Sequence, residues 1–270
     1  MFNYSDLKNK VVVITGAGGL LGKEFSLALG LQGAVVIGID NKFLELKNNF
    51  SEIKKRFPKI KLFAYKCNIS KNKEIQSCFK NIKNKFKKID ILINNAHTKT
   101  KNLNNFFTDF ENYKLSTWKE VMEVNVNSVF LVSQAVAKIM IKQKHGNIIQ
   151  ISSIQGILGN DGRIYKGSKL FGRKISSPAV YSTSKSAVIG FTRYLSTYLA
   201  KYNIRVNCIS PGGIENNHNK KFIKKYSNKV PLNRMGKKNE IASAILFLSS
   251  AESSYVTGQN IVVDGGYSVW

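Results

Sequence analysis

VVVITGAGGLLGKEF, residues Val11 to Phe25, decides the fold. Val11 to Thr15 is an apolar, β-branched run of strand length, and the segment from Leu20 carries apolar residues at helical spacing. Between them lies a turn rich in glycine. Glycines allow the backbone to turn tightly and approach a pyrophosphate, while a helix amino terminus offers free N–H groups and the positive end of its dipole. The stretch therefore predicts strand, turn and helix arranged to hold dinucleotide phosphates, with Gly16, Gly18, Gly19, Leu20, Leu21 and Gly22 in the cradle. A tight structural turn is the bland alternative. Asp40 weighs against it, because it closes the second apolar run at the distance expected for a residue that meets a ribose. A carboxylate there accepts from ribose hydroxyls and repels a 2'-phosphate, so Asp40, with Asn41 beside it, favours NAD over NADP. Lys42 pulls the other way and keeps NADP open.

The same alternation runs through the chain. Strands are expected at Val11–Thr15, Ala34–Asp40, Lys61–Lys66, Ile89–Asn94, Asn147–Ser152, Ile204–Ile209 and Asn260–Val263. Helices are expected at Leu20–Leu31, Lys42–Phe57, Lys71–Phe86, Trp118–Met140, Val180–Tyr202 and Asn239–Ser249. Strand and helix in alternation predict a doubly wound α/β fold, a parallel seven-stranded sheet with helices on both faces, in one domain spanning 1–270. Two segments break the rhythm: the polar, aromatic-bearing 98–116 and the glycine-bearing 155–179. Both follow strand carboxyl ends, where ligands bind in such sheets.

Composition narrows the function classes. Apolar runs are far shorter than the roughly 20 residues of a membrane span, and the first ten residues lack a signal core, so the expectation is a cytoplasmic protein with no membrane partner. Cys67, Cys78 and Cys208 are too few and scattered for a disulfide framework or a metal cluster, and no metal site is expected. The net charge of +26 permits nucleic acid, an anionic surface or an acidic small molecule as partner. The lysines are dispersed and no aromatic-interleaved basic run accompanies them, so nucleic acid is not expected.

Several further motifs stand in order: NNA at Asn94 to Ala96, NVNS at Asn125 to Ser128, ISS at Ile151 to Ser153, YSTSK at 181 to 185, RVNCISPGG at 205 to 213 and YVTGQNIVVDGG at 255 to 266. Together with TGAGGLLG they resemble the short-chain dehydrogenase/reductase family, in its single-domain branch of about 250 residues, over almost the whole chain. The resemblance implies a Rossmann-like fold, a nicotinamide cofactor, hydride transfer between an alcohol or carbonyl carbon and that cofactor, and a homodimer or homotetramer. It implies Tyr181 as general acid/base, Lys185 as the group that tunes it and holds the nicotinamide ribose, Ser153 as the hydrogen-bond partner of the reacting oxygen, and Asn125 as holder of a water in a proton relay. It places Asn68, Ile69, Asn95, Ala96, Pro211, Gly212, Gly213 and Ile214 along the cofactor. The chemistry fits these residue types, because a proton must move at oxygen as hydride moves at carbon, and an ammonium beside a phenol favours its ionised form.

The departures carry information. Leu20 stands at the family's middle glycine, and Gly16, Gly19 and Gly22 instead give a spacing similar to the nucleotide-sugar-modifying branch. Asn68 replaces an Asp, His97 replaces the glycine of NNAG, and Glu215 and Asn216 follow where a Thr is usual after PGG. His97 is a candidate substrate contact or plain loop structure.

YKGSK at 165 to 169 repeats the Tyr-x-x-x-Lys spacing of YSTSK. Tyr165 lies 12 residues beyond Ser153, close to the family's usual spacing, and Tyr181 lies 28 beyond. Helical context favours Tyr181: Gly167, Gly172 and Pro178 interrupt any helix begun at Tyr165, whereas the run after Tyr181 is apolar at helical period and free of proline. Residues 155–179 are then an insertion over the active site, and 214–238 a substrate-covering segment. Ser153, Gln155, Tyr165, Tyr181, Gly213 and His97 are the candidate substrate contacts.

The insertion, GLLGKEF and SPGGIEN are similar to oxidoreductases of bacterial surface-sugar and flagellin modification. Lys220, Lys221, Lys224, Lys225, Lys229 and Arg234 follow PGG and suggest a mouth that focuses an anionic sugar, phosphate or nucleotide sugar; an exposed basic helix is the alternative. Two rival functions remain: an epimerase or dehydratase that recycles its NAD, and a non-catalytic nucleotide-sensing or nucleic-acid-binding protein on the same fold.

Overall fold

All five residues of β1 (Val11–Thr15) are buried, as a central strand covered on both faces requires. The computed structural model describes residues 4–100, 102–170 and 173–270. After β1 come α1 (Leu20–Leu31), β2 (Val35–Asp40), α2 (Phe43–Arg56), β3 (Lys61–Lys66), α3 (Asn72–Phe86) and β4 (Ile91–Asn94). A short α4 (Leu103–Phe106) precedes α5 (Leu115–Met122), which runs through a π turn at Glu123–Asn127 into α6 (Ser128–Gln143). There follow β5 (Gly146–Ile151), the two-residue strands β6 (Lys169–Leu170) and β7 (Arg173–Lys174), α7 (Ala179–Ala200), β8 (Ile204–Pro211), α8 (Lys220–Ser227), α9 (Lys238–Ser249) and β9 (Asn260–Val263).

The seven-stranded sheet has the order β3-β2-β1-β4-β5-β8-β9 and every pairing in it is parallel. β1 pairs with β2 on one side and β4 on the other, so the winding reverses between β1 and β4 and opens a crevice at their carboxyl ends. Side chains alternate along β1: Val12 and Ile14 join Phe25, Leu29, Ile241 and Ile245 in one core, while Val11 and Val13 join Ile75, Ile82, Val132 and Val136 in the other. Each such side chain contributes about 1.5–3 kcal/mol on burial. The run Leu115–Gln143 has the length and hydropathy of a membrane-crossing helix, contrary to the estimate from short apolar runs. It packs instead against the sheet, with Val132, Val136 and Met140 fully buried.

The elements expected from sequence are present with ends shifted by one to three residues, as at β5, which begins at Gly146 and stops at Ile151. The insertion at 155–179, of which 171 and 172 lie outside the described residues, is anchored rather than free. Its Ile154 flank, Ile164 and Ile175 share a third apolar cluster with Phe222 and Tyr226 of α8 and with Tyr267 near the carboxyl terminus.

Candidate active site

The crevice is a cavity of about 1100 Å³, bordered by the turn after β1, the ends of β2, β3, β4, β5 and β8, and the start of α7. Gly16, Gly18, Gly19, Leu20, Leu21, Asp40, Asn41, Asn68, Ile69, Asn95, Ala96, Pro211, Gly212, Gly213 and Ile214 all border it. So do His97, Ser153, Gln155, Tyr165, Tyr181 and Lys185. Two of the residues expected at the site do not, Gly22 and Asn125.

The glycine turn shows why. Gly16 sits at φ +64° with Ala96 so close that a Cβ would lie 2.7 Å from its Cα. A Cβ on Gly22 would lie 2.2 Å from the Gly16 carbonyl oxygen. Gly22 therefore packs helix against turn and does not itself line the cradle, a correction to the sequence reading. Asn95 ties the turn to β4: its Nδ2 donates to the Thr15 and Gly16 carbonyls at 3.1 and 3.0 Å. Asp40 accepts from the Gly18 N–H at 3.0 Å and from the Lys42 N–H at 2.9 Å, so its carboxylate braces the cradle from the ribose side. Asn68 accepts from the Ser70 N–H and hydroxyl, forming a local turn at the adenine end. An amide-lined turn at a helix amino terminus, with a carboxylate at the second strand's end, fits a dinucleotide; Gly18, Gly19, Leu20 and Leu21 would hold the pyrophosphate and Asp40 a ribose.

Tyr181 and Lys185 lie one turn apart on α7, which begins directly after Pro178. Lys185 is 3% exposed, and its Nζ donates to the Ile151 carbonyl at 2.9 Å. Burial pushes its ammonium down to about 8. Ser153 is the first residue beyond β5 and Ser152; its Oγ accepts from the Gln155 N–H at 3.2 Å, so it caps the next turn as well as facing the phenol. Burial raises the Tyr181 phenol above its ordinary value, and the bond to Ser153 partly opposes this. Lys185 lies beside the phenol without bonding it. Its Nζ lies over the ring, 5.9 Å from the centroid, and bonds a carbonyl instead.

Asn125 is fully enclosed in the π turn, a device that recurs at functional sites. Its Oδ1 accepts from the Thr98 N–H at 2.9 Å and its Nδ2 donates to Ser184 Oγ at 3.3 Å. It anchors the loop that carries His97 and Lys99 across the cavity from α7. Burial, then the Lys185 and Lys99 charges, hold the His97 imidazole below its ordinary value.

YKGSK has no helix. Tyr165 closes a 3-10 turn, Gly162–Tyr165, and Lys169 lies in the small hairpin. Tyr165 nonetheless borders the cavity, its phenol raised mainly by burial and bonded to Ser177, which reaches Gln155 Oε1 at 3.4 Å. The basic segment is corrected most. None of Lys220, Lys221, Lys224, Lys225, Lys229 and Arg234 borders the cavity. Lys229 pairs with Asp161, Lys225 donates to the Arg163 and Lys166 carbonyls, and Arg234 grips Glu240 at 2.6 and 2.8 Å. These side chains lock α8 and its flank to the insertion and to α9. The reading missed Lys99, His218, Phe222, Tyr226 and Met235, which border the substrate end. Only the count of residues after NNA and PGG points to them.

Fold and site together define a nicotinamide-dependent oxidoreductase of the Rossmann type. A family model described as enoyl-(acyl carrier protein) reductase matches residues 17–268. The 3-oxoacyl-[acyl-carrier-protein] reductase FabG of Buchnera aphidicola subsp. Schizaphis graminum is 36% identical, the match covering 96% of this chain and 98% of that one. A short-chain dehydrogenase from Leptospira borgpetersenii, solved with bound NAD+, superposes with a TM-score of 0.83 at 35% identity, covering 100% and 97% of the two chains. A gluconate 5-dehydrogenase from Burkholderia cenocepacia, solved with NADP and tartrate, gives 0.83 at 26% identity over 99% and 98%. The chain belongs to the short-chain dehydrogenase/reductase family, as its motifs led us to expect, and is an NAD(P)-dependent oxidoreductase.

Proposed function

We propose that the protein interconverts a ketone and a secondary alcohol on a small anionic substrate, a sugar, sugar phosphate or nucleotide sugar, with NAD as the preferred cofactor. The observation that carries the chemistry is the meeting of Ser153, Tyr181 and Lys185 at one end of the cavity. A bound nicotinamide supplies or accepts hydride at the reacting carbon. Ser153 Oγ holds the reacting oxygen, and the Tyr181 phenol gives or takes its proton. A phenol kept protonated by burial suits the reductive direction, in which it acts as the acid. Lys185, one turn further along α7, would hold the nicotinamide ribose, and Asn125 holds the loop opposite in register. Asp40 at the ribose position supports NAD, and its two backbone N–H bonds leave the carboxylate fixed in place.

A row of rings bordering the cavity supports a ring substrate: His218 stacks on Phe222 with centroids 4.9 Å apart, and Phe222 is tilted 34° to Tyr226. A second reading, reduction of a 3-oxoacyl thioester on a carrier protein, is favoured by the relative's printed name. Following NADH at 340 nm (approximately, by its ordinary absorbance) with sugar phosphates, nucleotide sugars and an acetoacetyl thioester decides between them. Turnover of the thioester alone would overturn the sugar reading. Net cofactor consumption also separates a dehydrogenase from an epimerase or dehydratase. We further propose a homodimer or homotetramer, supported by the exposed Phe130, Tyr194 and Tyr198 on α6 and α7; sedimentation of a monomer would refute it.

A further inference from the structure

Lys99 is a residue that none of the family motifs assigns, and among the described residues it has no carboxylate partner. It borders the cavity together with His97, two residues earlier in the loop, and His218, from the segment after PGG. Among the described residues none of the three pairs with a carboxylate. Of the acids that border the same cavity, Asp40 is occupied by backbone N–H groups and Glu45 faces Lys42 at 3.6 Å. Glu120 borders it from α5 without an ion pair among the described residues. Lys99 and His97 remain exposed and His218 is half-buried, so all three stay open to a ligand anion from the cavity.

The loop is built to keep Lys99 there. Asn125 Oδ1 holds the Thr98 N–H, and Thr98 Oγ1 accepts from the Thr100 N–H at 3.0 Å. Thr100 takes a left-handed φ of +63° and bonds the Asn102 carbonyl at 2.9 Å, so the chain turns sharply just past Lys99. Opposite, His218 Nδ1 accepts from the Asn216 N–H at 3.3 Å, which leaves the proton on Nε2 as a donor. Its ring is steadied by the stack on Phe222. The cavity walls lower all three groups although Lys99 and His97 keep exposed surface, and the Lys99 charge acts on both histidines.

We propose that Lys99, flanked by His97 and His218, forms an anion-binding subsite that seats a carboxylate or phosphate of the substrate while Ser153 and Tyr181 hold its reacting oxygen. The proposal rests on the reading that Ser153 and Tyr181 do the chemistry, and deepens it by saying which part of the substrate the protein selects. The same anion chemistry occurs in the pyrophosphate of the cofactor, which has its own cradle at the start of α1.

Calorimetric titration of inorganic phosphate, and separately of malonate, into protein saturated with NADH tests it without requiring turnover. We expect both anions to bind, Lys99→Met to weaken them about tenfold to a hundredfold, and Lys99→Arg to retain most of the affinity. Quenching of NADH fluorescence shows that each variant is folded, and Lys99→Gln replaces Lys99→Met should the latter fail to bind NADH. Equal anion affinity in wild type and Lys99→Met overturns the proposal, as does anion binding that disappears once NADH saturates, which would assign the site to the cofactor. Failure of every carbonyl substrate would count against the proposed reaction and leave this result standing.

Discussion

Replacing Asn125 with Ala removes one acceptor and one donor from a fully enclosed position. Ser184 Oγ keeps its bond to the Tyr181 carbonyl at 2.9 Å, so it is not orphaned. The Thr98 N–H, which donates to Asn125 Oδ1, loses its partner. An unsatisfied buried donor costs about 1–3 kcal/mol. With a melting shift of about 2–4 °C per kcal/mol for chains somewhat shorter than this, a 2 kcal/mol loss lowers Tm by roughly 4–8 °C. The functional effect is separate. The loop bearing His97 and Lys99 is released, so KM for an anionic substrate rises while NADH affinity, set at the α1 end, changes little. Asn125→Asp keeps an acceptor for Thr98 and is expected to restore part of the KM. Differential scanning calorimetry with steady-state kinetics reads both. An Asn125→Ala protein with wild-type Tm and KM would refute the view that the π turn positions this loop.

Gly22→Ala forces a Cβ against the Gly16 carbonyl at 2.2 Å, an overpacking that costs about 1–3 kcal/mol, and NADH affinity measured by fluorescence should fall at least about tenfold. Wild-type affinity would show that the helix does not set the cradle. NADH should bind at least about tenfold more tightly than NADPH, and Asp40→Ala should narrow the gap, since the carboxylate repels a 2'-phosphate; tighter NADPH binding contradicts the assignment. Lys185 titrates near 8 when folded and near 10.5 when unfolded. Between those values the unfolded chain binds more protons, so this group makes stability rise with pH from about 8 to about 10. Denaturant melts of wild type and Lys185→Met should diverge in slope over that window, the variant lacking the rise; parallel curves would place the ammonium in solvent.

The sheet was legible because its inner strands β1 and β4 are apolar runs buried along their whole length, while the edge strands β3 and β9 are only partly buried. The turn after β1 was legible too: Gly16 takes the left-handed φ of +64° that favours glycine, and Asp40 accepts from the Gly18 N–H. The helix under Tyr181 was legible as well, because proline and glycine deny one to the earlier Tyr165 pair. What sequence did not show was how side chains are spent. The lysines of α8 and its flank appear as a cationic mouth in one dimension, yet Lys225 and Lys229 are consumed by contacts with residues about sixty positions away. The α8 helix stood in the sequence only as the alternative to a cationic mouth because it is short and polar, and its start depends on Asn219 accepting from the Phe222 N–H at 2.8 Å.

The central claim is that Tyr181, and not Tyr165, exchanges the proton. Single-turnover reduction should be measured with NADH-saturated Tyr181→Phe and Tyr165→Phe beside wild type, using whichever carbonyl the wild type turns over. Loss of a general acid lowers the chemical step by about 100- to 10,000-fold. The account predicts that loss for Tyr181→Phe with NADH still bound, and for Tyr165→Phe a change in KM with the chemical step largely kept. The reverse pattern, with Tyr165→Phe losing the chemical step and Tyr181→Phe retaining it, would contradict the account.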